Sequence, residues 1–137
     1  MSSILKNGRD RQTARRDLGL IALKVKADSI IRAGFLVCLD STGYAIEGKA
    51  GTDLVYIGRA EEFVDNTDGL DGDAQIAVRT HNAFLYDNST SDPVTQASIG
   101  RPCFIEDGQT VAKTDATGTL SQAGRVVGID LDGVWIE

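Results

Sequence analysis

His81 is the only histidine of the chain. Any hydrolase-type chemistry depends on it, because a hydroxyl or thiol nucleophile needs a neutral base and an orienting acid brought to it. It stands beside Asn82 between two apolar runs, the place of an exposed turn residue rather than a base. Carboxylate pairs are the other route to acid–base work, but the acids concentrate in loops, where water keeps their pKa values ordinary. Four of them, Asp65, Asp68, Asp71 and Asp73, crowd one loop. That oxygen density would suit calcium, yet an EF-hand closes on a glutamate at its twelfth position, and counting from Asp65 that position is Ile76. Cys38 and Cys103 lie singly inside apolar runs with no Cys or His at ligand spacing, the pattern of buried free thiols. No Gly-Lys-Ser/Thr loop occurs, and neither Gly58 nor Gly69 belongs to a Gly-x-Gly-x-x-Gly turn. The expectation is a protein that is not an enzyme, with no catalytic residues, no metal and no cofactor.

The charge distribution says more. Residues 1–17 carry Lys6, Arg9, Arg11, Arg15 and Arg16 against Asp10 and Asp17, a net +3; with −6 overall, the remaining 120 residues carry −9. A basic segment leads an acidic body. Its cations could neutralise phosphates and make binding salt-dependent, but the body would be repelled by the same polyanion, so no nucleic-acid partner is expected. Docking onto an acidic or strand-edged protein suits the residues better. Leu18, Leu20, Ile21 and Leu23 follow directly, and apolar strand-forming sequence can pair with the sheet edge of another chain.

Length and composition allow one domain with a real core: 137 residues, 42% hydrophobic and 25% charged, well outside the regime of disordered chains. No run approaches the roughly 18 apolar residues of a membrane span, and the N-terminus lacks the apolar centre of a secretion signal. The expectation is a soluble protein kept in the cytosol until it joins a partner, with no membrane contact. The division is a flexible basic arm over 1–17 and a single β-rich domain over 18–137. Nothing in the arm shows a sustained 3.6-residue stripe that would hold a helix alone.

From Leu18 the pattern is short β segments punctuated by turn residues at the spacing of a sandwich or barrel. Gly19 to Lys26 is a first strand. Phe35 to Leu39 and Tyr44 to Ile46 form a hairpin about Asp40-Ser41-Thr42-Gly43. Leu54 to Val64 follows, then Ile76 to Arg79 and Ala83 to Tyr86, which the His81-Asn82 turn joins into a second hairpin. Asp92-Pro93 interrupts the pattern, and Thr95 caps one helical turn over Gln96 to Ile99 that stops at Gly100. Cys103 to Ile105, Thr110 to Ala112, Arg125 to Ile129 and Val134 to Ile136 complete it, the last two as a hairpin about Asp130-Leu131-Asp132-Gly133. The fold class is all-β, a small β-barrel or β-sandwich with one short helical turn and an extended N-terminal arm.

Three stretches carry a family likeness: Asp92-Pro93-Val94-Thr95-Gln96-Ala97-Ser98-Ile99-Gly100, Gln109-Thr110-Val111-Ala112-Lys113-Thr114, and the run from Ala123 to Ile136. With the region from Ile30 onward, the chain resembles the head decoration (cement) proteins of tailed bacteriophages. That resemblance implies a compact β module, made in the host cytoplasm, that assembles as a homotrimer on the outer surface of an expanded capsid. Its N-terminal arm would grip the major capsid protein. It implies carboxylate partners for Arg9, Arg11, Arg15 and Arg16, where arginine's planar fork is favoured, and strand pairing or apolar anchoring by Leu18, Leu20 and Ile21. Trp135 is either a subunit-interface anchor or an ordinary core residue. A tail or baseplate β-module, a carbohydrate-binding virion domain and nucleic-acid binding through the arm are the alternatives.

Overall fold

The computed structural model describes residues 18–137 together with Gly8 and Ala14. The expectations for the arm, Arg9, Arg11, Arg15 and Arg16 among them, lie outside the described residues. The fold is all-β. The strands are β1 (Leu20–Lys24), β2 (Ile30–Ile31), β3 (Leu36–Leu39), β4 (Ala45–Glu47), β5 (Val55–Ala60), β6 (Val64–Asp65), β7 (Gln75–Arg79), β8 (Phe84–Asn88), β9 (Pro102–Ile105), β10 (Thr110–Ala112), β11 (Gln122–Asp130) and β12 (Gly133–Ile136). One 3-10 turn among the described residues, Gln96–Ser98, precedes β9. It stops one residue short of the sequence expectation, and the Ser98 hydroxyl accepts from the Thr95 amide at 3.2 Å.

Two assemblies share these strands. One is a five-stranded sheet in the order β1-β7-β5-β3-β4; the other is a closed barrel in the order β10-β8-β12-β11-β9, and β2 pairs with β6 apart from both. The hairpins about Asp40–Gly43 and Asp130–Gly133 form as expected, β3 pairing with β4 and β11 with β12. The second expected hairpin does not. β7 pairs with β1 and β5 in the sheet, whereas β8 pairs with β12 and β10 in the barrel. The His81-Asn82 turn therefore carries the chain from one assembly to the other, with His81 exposed in the left-handed region at φ 57°.

The β3–β4 hairpin is the wall between two cores. Leu36 and Cys38 point into a core with Phe84, Ile105, Val111, Val126 and Ile136 of the barrel. Val37 and Ala45 point the other way, into a core with Val25, Ile31, Ile76 and Val78. Because side chains alternate across a strand, one with a core on each side must be apolar at every position, and Leu36-Val37-Cys38-Leu39 is such an unbroken run. β1 and β12, covered on one side only, alternate instead. Cys38 and Cys103 are free and buried, and burial pushes both thiols up to about 12, which keeps them protonated and unreactive at neutral pH.

Candidate partner-binding surfaces

The sheet ends at β1. The Thr80 amide donates to the Gly19 carbonyl at 3.0 Å and the Val25 amide to the Ala74 carbonyl at 2.9 Å. By the two-residue period of an antiparallel ladder, the odd-numbered positions between them face β7. Leu20 and Ala22 therefore turn their backbone N–H and C=O groups to the outer edge, which no strand among the described residues pairs with. Only at its far end does the edge close, where Val25 bridges Ala45. The side chains divide by the same alternation. Leu18 and Leu20 are exposed, at 52% and 45%, while Ile21 packs against the chain's own second core. Of the three apolar residues assigned to anchoring, two face outward and the third holds β1 to the body. The Thr80 hydroxyl fixes the entry to β1 by donating to the Leu18 carbonyl.

Beside Leu20, the face of the sheet turned away from the second core carries two arginines. Arg79 lies opposite Leu20 and Arg59 opposite Arg79, and both guanidiniums reach Glu61, at 2.9 and 2.7 Å. Arg59 also lies over the Phe84 ring at 5.0 Å. Sequence reasoning missed this fork, since nothing local announces that Arg79 comes beside Arg59. Its effect on Glu61 is large: bonds from Arg79 first and then Arg59 bring the carboxyl down to about 2. Asp40 arrives at about 2 as well; burial pushes it up, but the Thr42 hydroxyl, the Lys26 ammonium and the Thr42 amide outweigh that. Both folded values lie below those of the free side chains, 4.5 and 3.8. The stabilisation is therefore full above those values and is lost as pH falls through the interval to about 2. The urea midpoint is expected to drop steadily between about pH 4.5 and 2, and Glu61→Gln to flatten that slope; a midpoint insensitive to pH there would refute the assignment.

Trp135 occupies a third surface. Val134 and Ile136 are buried on either side of it, so alternation turns the indole outward, where it remains 37% exposed beside Leu85, its cross-strand partner on β8, at 39%. Trp135 is thus an outward-facing residue rather than an ordinary core position. A register shift in β11 between Val126 and Gly128 sets Gly128 opposite Trp135, where a Cβ would lie 3.6 Å from the indole Cδ1. The indole N–H donates to Asp130 Oδ2 at 3.1 Å. Asp130 Oδ1 accepts from the Asp132 and Gly133 amides at 2.8 and 3.2 Å. The indole bond first, then the amides, hold the Asp130 carboxyl below its usual range. One carboxylate thereby shapes the hairpin and fixes the indole.

The other candidates are absorbed by local structure. Asp65 accepts from the Thr67 amide, Asp71 from the Ala27 amide and Asp73 from the Leu70 amide, at 2.9, 2.8 and 2.9 Å. The Asp68 amide donates to Asp28 at 3.1 Å. The Asp65 bond is the Asx type that aspartates make in turns, whereas those at Asp71 and Asp28 tie segments about forty residues apart. Among the described residues no group of three or more His, Cys, Asp or Glu is arranged to hold a metal ion. Compared with protein-family models, with curated proteins and with solved structures, the chain matches none.

Proposed function

We propose that this chain is a capsid decoration protein of a tailed bacteriophage, binding the outer surface of the expanded shell as a homotrimer and stabilising it, with its N-terminal segment gripping the major capsid protein. The observation that carries the proposal is the open edge of β1, which presents exposed Leu18 and Leu20 directly after the five cations of residues 1–17. Charge, apolar surface and unpaired backbone thus follow one another along the chain, the combination by which an extended segment adds to another protein's sheet. In this assignment Arg9, Arg11, Arg15 and Arg16 pair with shell carboxylates, and Leu18 and Leu20 follow them onto the shell. Three linked copies raise the effective concentration of each arm once one is docked. Binding the assembled lattice in preference to free subunits stabilises it by mass action.

The test is co-sedimentation with expanded shells of full-length protein and of a variant lacking residues 1–17, with duplex DNA as a control. Full-length protein is expected to pellet in multiples of three per local three-fold position. The truncation should lose roughly tenfold or more in affinity, since four exposed ion pairs at about 0.2–1 kcal/mol each sum to that order. Failure of the full-length protein to pellet with shells would overturn the proposal, and retention on DNA instead would assign the arm to nucleic acid.

A further inference from the structure

The closed barrel carries two outer faces of opposite character. On the first, Leu85 and Trp135 lie side by side, fully exposed Leu131 stands at the tip of the adjoining hairpin, and the exposed carboxylates of Asp87 and Asp132 flank them. On the second, Ile99 is 47% exposed next to a recess of about 370 Å³ lined by Ala97, Ser98, Pro102, Arg101 and Lys113. Arg101 and Lys113 are exposed, and neither has a carboxylate within 4.0 Å among the described residues. β12, which carries Trp135, pairs only with β8 and β11, while the recess lies where β9 begins and β10 ends. The two faces are therefore on different walls and do not obstruct each other.

We infer that copies of this chain join head to tail, the Leu85–Trp135–Leu131 face of one copy seating on the Ile99–Arg101–Lys113 face of the next; the three-membered ring that would result rests on the trimer proposed above. Charge selects this pairing. Two copies meeting through the Trp135 face would set Asp87 and Asp132 against the same carboxylates, and two meeting through the recess would oppose Arg101 and Lys113 with themselves. Only the mixed contact places each apolar centre on the other and each charge opposite its complement. Such a contact is heterologous, and its repetition closes a ring when the rotation permits. The bond from Trp135 to Asp130 fixes the indole before association, so little side-chain freedom is lost when it is covered.

Light scattering on the full chain across a concentration series, after size exclusion, tests this. The unaltered protein is expected to assemble. Asp87→Lys with Asp132→Lys, and separately Arg101→Glu with Lys113→Glu, should each raise the concentration needed for assembly by at least tenfold, and the chain carrying all four changes should recover it. These side chains are exposed and make no hydrogen bond or ion pair within 4.0 Å among the described residues, although the Lys113 charge acts on the Asp92 carboxylate. An unchanged melting transition will confirm that the variants fold. The inference is overturned if the unaltered protein stays monomeric, if reversing either face leaves assembly unchanged, or if the fourfold variant does not recover. A trimer indifferent to these changes that still pellets with shells removes the interface and leaves the decoration reading. A charge-dependent ring that ignores shells does the opposite.

Discussion

Gly133→Ala is expected to destabilise the protein by about 2–6 kcal/mol, a large part of the total stability of a domain this size. Gly133 opens β12 at φ 147°, and a Cβ there would lie 2.2 Å from the Tyr86 carbonyl oxygen and 3.3 Å from Leu85 Cδ1. The first neighbour is backbone of a paired strand, Tyr86 lying opposite Val134, so it cannot swing aside. Accommodating the methyl means separating β12 from β8 at the hairpin that closes the barrel. Crowding of about 1–3 kcal/mol then adds to a backbone cost of about 1–3 kcal/mol. Gly100→Ala is the control, because Gly100 has φ 87° with nothing within 4 Å of its Cβ; it should cost only about 1–2 kcal/mol. Urea denaturation of both variants separates the contributions, and a Gly133→Ala loss equal to that of Gly100→Ala would remove steric closure as the reason for the glycine.

Leu36→Ala is expected to cost about 3 kcal/mol and to lower the melting temperature by roughly 10 °C. Leu36 is fully buried in the barrel-side core, while Val37, its neighbour on β3, is fully buried in the other. A wall common to both cores cannot relax toward one without disturbing the other. The barrel and the sheet should therefore lose structure in one transition, with the near-ultraviolet signal of Trp135 in the barrel and the far-ultraviolet signal of the whole chain sharing a midpoint. Separate midpoints would show that the hairpin does not couple the two cores.

The hairpins about Asp40–Gly43 and Asp130–Gly133 were legible because their aspartates and glycines do locally what the turns require. The hairpin expected about His81-Asn82 does not form, for an instructive reason. His81-Asn82 supplies a turn as those residues do, but turn chemistry fixes only that the chain bends, not whether the next strand pairs with the last or passes to another sheet. β2 and β6, two residues each, are too short to show a period. The unbroken apolar run of β3 signalled a strand, whereas the existence of a core on both sides depends on which distant strands cover it. Among the candidate residues, the alternation of Val134-Trp135-Ile136 contained the outward direction of the indole. Its neighbour Leu85 depends on the register of strands about fifty residues apart and could not be read locally. The same holds for the Arg59–Glu61–Arg79 fork.

The shared β3–β4 wall also limits how such a gene can change. A recombination event that replaced the coding sequence for the barrel alone would present Leu36, Cys38 and Ile46 with side chains they had not co-varied with, and one that replaced the sheet alone would do the same to Val37 and Ala45. Exchange between related genes is tolerated where few contacts cross the boundary, and between the two halves of this chain there is no such boundary. The two halves are therefore expected to tolerate exchange only together, not one without the other.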